Sequence, residues 1–495
     1  MGEKKPLKIN IPENLGVPSE AIRNFIDDIE TQKLCLHSFM ILRHGEIAAE
    51  GYYPPFDSGR LHRMYSTSKT FVSMAIGMLI DEGKITLDDK IADFFPEYLP
   101  DDPHPYIMET TVKDLLMMAT PYTWNTYGRD DKNWVWTFLN RTPSHPPGTV
   151  FSYDTSGTVM LNGIVEKVSG KPLLDYMRPK LLDPIGFSDC AAAIERPEGG
   201  AWGGSGVLCS THDLAKFALM LLNKGRYNGE QLISEKYVSE ATSAMIDNRA
   251  TNTETEFQFG YGYQVWRTRN NGFATLGMGC QISVCLPDKD LVFLTTGDTQ
   301  GVTDGLEKVL RSFWVCVYPY LSDGKLEENR LEYDKLTDKL NNLEFIKVDG
   351  MTESAGTHLY NGKTYKLYDN PMSITEIKFV FDGAKNKMCY RNATGYHEIE
   401  FGTGCYICGE FPENHYFGRK IGVKKEKGYE YKASAAWFDD KSFIIYVYAI
   451  DDYFGTLKIS AAFKDDKISI HMAKVAEWFF DEYSGFAAGY LIENE

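Results

Sequence analysis

Ser66 and Lys69 stand three residues apart in HRMYSTSKTFVSMAIGMLI (62–80), just ahead of an almost unbroken apolar run. A helix that is apolar all round belongs inside a domain. Residues three apart share a helix face, so the lysine lies beside the serine hydroxyl near the helix N-terminus. A lysine there has to be desolvated or paired, and desolvation lowers its pKa and makes it a usable proton acceptor. The free backbone N–H groups of a helix start can stabilise a developing oxyanion. One turn of helix thus offers a nucleophile, a base and a donor, the parts needed for covalent acyl transfer. A plainer role fits the same residues: Ser66 caps the helix and Lys69 extends along its stem to solvent. The stretch alone leaves both open. A second Ser-x-x-Lys, Ser322 to Lys325, sits in a polar segment and shows that spacing by itself decides nothing.

Further stretches shift the balance towards catalysis. ILRHGEIAAEGYY (41–53), TVKDLLMMAT (111–120), PPGTVFSYDTSG (146–157), GGSGVLCSTHDLAKFALMLLNKG (203–225) and FGYGYQVW (259–266) follow YSTSKTF (65–71) or flank it. In that order they resemble the serine β-lactamase / penicillin-binding-protein superfamily, nearest its class C β-lactamase-like esterases and peptidases. The resemblance spans roughly residues 10–320. It implies that Ser66 is the acylated nucleophile and Lys69 its proton partner. It implies that Tyr153 shuttles a proton between nucleophile and leaving group, helped by a neighbouring cation that lowers its pKa. The family's Tyr-x-Asn motif falls on Tyr153-Asp154-Thr155, so Thr155 replaces an amide that both donates and accepts.

The family's third motif falls on Thr275-Leu276-Gly277, followed by MGCQ. Gly277 matches, and a glycine there lets a strand backbone approach the substrate. By the same resemblance, the Met278 N–H joins that of Ser66 as an oxyanion donor. Thr275 replaces the cation that helps the family bind a substrate carboxylate. A charge-assisted hydrogen bond is worth ~1.5–3 kcal/mol, or one to two decades of affinity, which disfavours β-lactams as substrates. The Gly-rich AWGGSGVLCS (201–210) borders the family's cleft and is given no chemistry. Trp202, Tyr261 and Trp266 fit either a cleft wall or the core.

The elements that must position these residues follow from pattern. SFMILRHGEIAAEGYY reads as a hairpin turning at His44-Gly45. Helical periodicity marks 111–120, 158–171 and 211–225, the last opened by Ser210/Thr211 with Asp213 and closed by Gly225. Strands follow across 256–300, with one turn at Pro287–Asp290. With these elements, the resemblance implies that the first domain, 1–322, is α/β (α+β), a β-lactamase/transpeptidase-like antiparallel sheet flanked by helices. A charged segment, 323–349, reads as a linker or exposed helix. Residues 350–495 carry short Tyr/Phe/Ile/Val runs between Gly, Asn and Asp, the pattern of an antiparallel barrel or sandwich.

Composition bounds the function. A chain of 495 residues is too long for a single core. Its net charge of -17 argues against nucleic acid and anionic membrane surfaces as partners. The N-terminus lacks a signal-peptide core and no run is long enough to span a bilayer, so a cytoplasmic protein is expected, or an exported one if a leader has been trimmed. The nine Cys are scattered and mostly apolar in context, so buried thiols are expected. Cys405 and Cys408 form the one Cys-x-x-Cys, near His397 and His415, without a second pair for zinc. The expectation is a serine hydrolase acting on small esters, amides or short peptides, including D-amino-acid peptides, without metal or cofactor. A homo-oligomer is left open. The alternatives are a weak β-lactamase and a non-catalytic binding or scaffold protein that keeps the fold.

Overall fold

The computed structural model describes residues 6–413, 430–451, 454–477 and 480–492, and divides the chain into two compact units, Met1–Phe345 and Ile346–Glu495. In the first unit, helix α1 (Ser19–Thr31) precedes the hairpin β1 (Leu36–Arg43) and β2 (Glu46–Tyr52). His44 and Gly45 both take positive φ (53° and 74°), the primed turn that suits a two-residue hairpin. Helices α2 (Ser68–Asp81), α3 (Thr155–Ser169) and α4 (Thr211–Leu222) follow. Then come β3 (Trp266–Arg267), β4 (Phe273–Gly277), β5 (Gln281–Leu286), β6 (Leu291–Gly297) and the helices α5 (Gly305–Cys316) and α6 (Arg330–Asn341).

The six strands form one antiparallel sheet in the order β2-β1-β6-β5-β4-β3. Alternation along β1 assigns its two faces. Phe39 meets Phe25 of α1, and Phe25 also meets Phe293 of β6, with ring centroids 5.6 and 5.4 Å apart. Phe313 of α5 stacks on Phe293 at 4.3 Å, so α1 and α5 cover the same face. Ser38 points the other way and bonds Thr211 at the start of α4. Helices on both faces explain why every residue of β1 is buried.

Local signals set the helix ends. Ser210 and Asp213 form a reciprocal capping box at the start of α4. That helix ends at Leu222, three residues earlier than the periodicity predicts, and Gly225 takes φ 84° in the turn beyond it. The charged α6 buries only Leu336 and lies against α1 through Arg23–Glu332 and Lys339 with Asp27 and Glu30.

The second unit is a closed barrel rather than a sandwich. Its strands are β7 (Thr364–Leu367), β8 (Glu376–Val380), β9 (Lys385–Asn392), β10 (Gly395–Thr403), β11 (Ile407–Glu410), β12 (Glu430–Asp439), β13 (Ser442–Ile450), β14 (Phe454–Lys464), β15 (Lys467–Val475) and β16 (Gly485–Leu491). The order β10-β9-β8-β7-β16-β15-β14-β13-β12 closes where Gly402 and Thr403 pair in parallel with Ser434 and Ala435, and β11 adds to β12. Phe443, Ile445 and Val447 of β13 are buried while Ile444 and Tyr446 are less so, the period of two that a filled barrel needs. Rings of Phe379, Phe381, Trp437 and Phe443 fill the interior, with centroids 4.8–5.3 Å apart in successive contacts. Cys405 is half-buried and Cys408 exposed, whereas His415 lies outside the described residues. Among the described residues no helix is long and apolar enough to cross a membrane.

Helix α2 explains how the turn Tyr65–Thr67 that precedes it is held. Residues 68–79 are all buried, and Phe71 stacks on Phe217 of α4 with centroids 4.0 Å apart. At Gly77 a Cβ would collide with the Tyr237 ring, whose hydroxyl donates to the Ser73 carbonyl at 2.8 Å. Helix propensity alone favours alanine there by about 1 kcal/mol. The Gly77→Ala variant should instead lose about 1–3 kcal/mol through overpacking. Urea unfolding checks the sign, and a stabilised variant would contradict this packing.

Candidate active site

From His62 to Leu79 every residue is buried except Ser66. Between His62 and Leu79 the chain therefore reaches solvent at one position, and that position is the serine just ahead of the buried helix. Ser66 lies in a 3₁₀ turn, Tyr65–Thr67, that runs directly into α2. Tyr65 takes φ 46°, a left-handed conformation that a side chain makes costly and that surrounding structure must enforce. Several contacts do so. The Arg63 guanidinium lies 4.1 Å from the Tyr65 ring and 4.6 Å from the Trp202 ring, and donates to the carbonyl and hydroxyl of Ser205. The Met64 N–H donates to the Val207 carbonyl, and the Ser68 hydroxyl accepts from the Val207 N–H.

Lys69, 1% exposed, brings Nζ 3.0 Å from Ser66 Oγ and 2.7 Å from the Gly204 carbonyl. Tyr153 presents its ring 5.2 Å from Lys69 Nζ, and its phenol lies near enough to the Ser66 hydroxyl for that hydroxyl to favour the phenolate. The structure thus gathers Ser66, Lys69 and Tyr153 around one hydroxyl. Gly277 ends β4 against the stretch that leads into the Ser66 turn, where a Cβ would collide with the Met64 carbonyl oxygen. Met278 follows it in a turn and is 38% exposed. Thr275 is buried and its hydroxyl pairs with Ser283 on β5 at 2.8 Å. The Thr155 N–H donates to Asn125 Oδ1 at 2.8 Å, and the Thr155 methyl lies against the Gly204 Cα.

Residues 30–306, more than half of the chain, match the Beta-lactamase family. The chain belongs to that family. It is 25% identical over 245 residues to the 6-aminohexanoate-dimer hydrolase of Paenarthrobacter ureafaciens, covering 46% of this chain and 62% of that one. It is 26% identical over 186 residues to Esterase EstB of Burkholderia gladioli, covering 32% and 47%. Both matches span less than two thirds of the relative's length. A penicillin-binding-protein homologue of Caulobacter crescentus shares the fold at TM-score 0.50 and 15% identity, over 62% of this chain and 98% of that one.

Within this β-lactamase-family site, one expectation is reversed. Burial pushes the Tyr153 phenol up to about 12, and bonds with Ser66 and with the Trp266 indole only partly offset it. The Lys69 charge does not bring the phenol below its ordinary value, so Tyr153 stays protonated near neutral pH. Three contributors escaped the sequence reading. The Gly204 carbonyl that takes a Lys69 hydrogen bond belongs to the loop given no chemistry. Its signal was the paired glycines: a Cβ on Gly203 would strike Val72 of α2, and one on Gly204 would strike Thr155. Trp266, treated as wall or core, stacks on Tyr153 with ring centroids 5.3 Å apart. Asn125 carried no motif at all. Among the described residues no His/Cys/Asp/Glu group could hold a metal ion.

Asp154 is fully buried and caps α3, accepting from the N–H and hydroxyl of Ser156 and from the Thr120 hydroxyl. Burial raises its carboxyl to about 6, against those bonds and the nearby Lys69 charge. The folded-state value lies above the unfolded one. Its stabilising contribution is therefore complete below about pH 4 and is lost as pH rises through about 6. That loss is roughly 3 kcal/mol. Relative to wild type, Asp154→Asn should gain about that much stability between pH 4 and pH 7. Urea unfolding across this range checks it; a pH-independent difference would contradict it.

Proposed function

We propose that the first unit is a serine hydrolase that cleaves small esters, amides or short peptides, D-amino-acid peptides included, through an acyl-enzyme on Ser66. The observation that carries the reading is the solvent opening at Ser66 within the otherwise buried stretch 62–79, with Lys69 Nζ at 3.0 Å from its hydroxyl and the Tyr153 ring 5.2 Å from that amine. The Lys69 amine, once it has given up its own proton, donates to Gly204 and accepts the Ser66 proton as Oγ bonds the substrate carbonyl carbon. The N–H groups of Ser66 and Met278 receive the oxyanion. Tyr153, protonated near neutral pH, donates to the departing alkoxide or amine as its bond to carbon breaks. The Lys69 ammonium then restores the phenol's proton. Water repeats the sequence on the acyl-enzyme and releases the acid.

Substrate class follows from Thr275. Its hydroxyl is committed to Ser283 and it carries no charge, so this strand offers no cation to a substrate carboxylate at that position. The hydrolase and esterase names of the relatives support the same ranking. A panel of p-nitrophenyl esters, D-aminoacyl p-nitroanilides and nitrocefin tests it. Nitrocefin should show kcat/KM at least ~10-fold below the best ester, the size of a lost charge-assisted hydrogen bond. Ser66→Ala should fall to background, and Lys69→Ala and Tyr153→Phe should each lose about 10²–10⁴ in kcat. Wild-type turnover in Ser66→Ala, or nitrocefin as the best substrate, would contradict the reading.

A further inference from the structure

Gln281 opens β5 and is fully buried, with its side chain committed to the backbone around the turn Met278–Cys280. Its Nε2 donates to the Met278 carbonyl at 3.0 Å and to the Gly297 carbonyl at 2.7 Å. Its Oε1 accepts from the Gly297 N–H at 3.3 Å. Its own carbonyl accepts from the Thr67 hydroxyl, next to the nucleophile, at 2.9 Å. Across the ladder it faces Gly277. One residue therefore touches β4, β6, the Met278 peptide and the nucleophile turn.

The turn it braces does not adopt its shape freely. Gly279 and Cys280 take φ 77° and 79°, and only the glycine does so without steric penalty. Cys280 is pinned by its thiol against the Thr299 hydroxyl and by its carbonyl, which accepts from Thr295. The ladder fixes the residue before Met278, and the Gln281 amide fixes the carbonyl after its Cα. With both ends held, the Met278 N–H has one direction left to it.

We propose that Gln281 is a positioning residue that brackets the oxyanion site, holding the Met278 N–H and the Ser66 turn in fixed relation. This rests on the reading above that those two N–H groups receive the oxyanion. A donor set rigid before reaction favours the transition state over the bound substrate, so its loss falls on kcat. Removing the amide leaves the Met278 peptide free to rotate its N–H away, while Lys69 and Tyr153 stay in place.

The test compares Gln281→Met, which keeps side-chain length without the amide, with wild type and Ser66→Ala. The readouts are p-nitrophenyl acetate hydrolysis and inhibition by phenylboronic acid, whose tetrahedral serine adduct puts an oxygen in the oxyanion site. Gln281→Met should lose ~10–100-fold in kcat with KM within ~3-fold, and its boronate Ki should rise by a similar factor. The shape of its pH–rate profile should not change. If kcat and boronate Ki both stay within ~2-fold of wild type, even with a lower Tm, the role is structural and the proposal is overturned. Should Gln281→Met not fold, Thr67→Val, which cuts the tie to the nucleophile turn, decides. A weakened boronate restored by Thr67→Ser supports the bracket, and unchanged boronate affinity overturns it. Full turnover in Ser66→Ala would remove the hydrolase reading itself, and the bracket with it.

Discussion

A lysine with almost no solvent contact has to be solvated by protein, and Lys69 sets the terms for the rest of the site. An ammonium without such partners is too costly to bury. Here it has the Gly204 carbonyl, the Ser66 hydroxyl, the face of the Tyr153 ring and the buried carboxylate of Asp154 nearby. The Gly204 carbonyl arrives only because two glycines let the 202–206 loop lie on α2, α3 and Thr155. Arg63 then ties that loop to the Ser66 turn through Ser205 and Tyr65. Much of the unit's polar interior thus follows from keeping one amine dry and reactive beside a serine.

How much of this was legible in the sequence depended on the range of each interaction. Ser66 and Lys69 meet within one helical turn, so spacing and the apolar run that follows exposed them. Tyr153 came from an ordered set of neighbouring segments rather than from any local rule. Gly204, Trp266, Asn125 and the Gln281 carbonyl meet their partners across 30 to 214 residues of chain, through backbone carbonyls, one ring stack or single hydrogen bonds that leave no periodic trace. The Tyr153 pKa was misjudged for a related reason. A neighbouring cation can be guessed from a motif, but the degree of burial that outweighs it is a property of the packed fold.

The second unit shows the same division. Alternating apolar residues made its strands readable, but barrel and sandwich share that alternation. What separates them is the pairing of Gly402 and Thr403 with Ser434 and Ala435, a contact between distant segments with no marking in composition. Its aromatic interior reads as a core of its own, packed by Phe379, Phe381, Trp437 and Phe443. The charged helix Arg330–Asn341, which composition alone left between linker and exposed helix, is fixed by ion pairs to α1 inside the first unit.

The solvent-reaching serine in the turn ahead of the buried helix α2 is where the proposed substrate becomes covalently attached. Acid quenching of wild type during turnover of p-nitrophenyl acetate, followed by proteolysis and peptide mass mapping, measures this directly. The account predicts an acetyl group on Ser66, within the peptide carrying YSTSK. An acetyl group that accumulates on another residue, or turnover with no covalent species at any quench time, would contradict it.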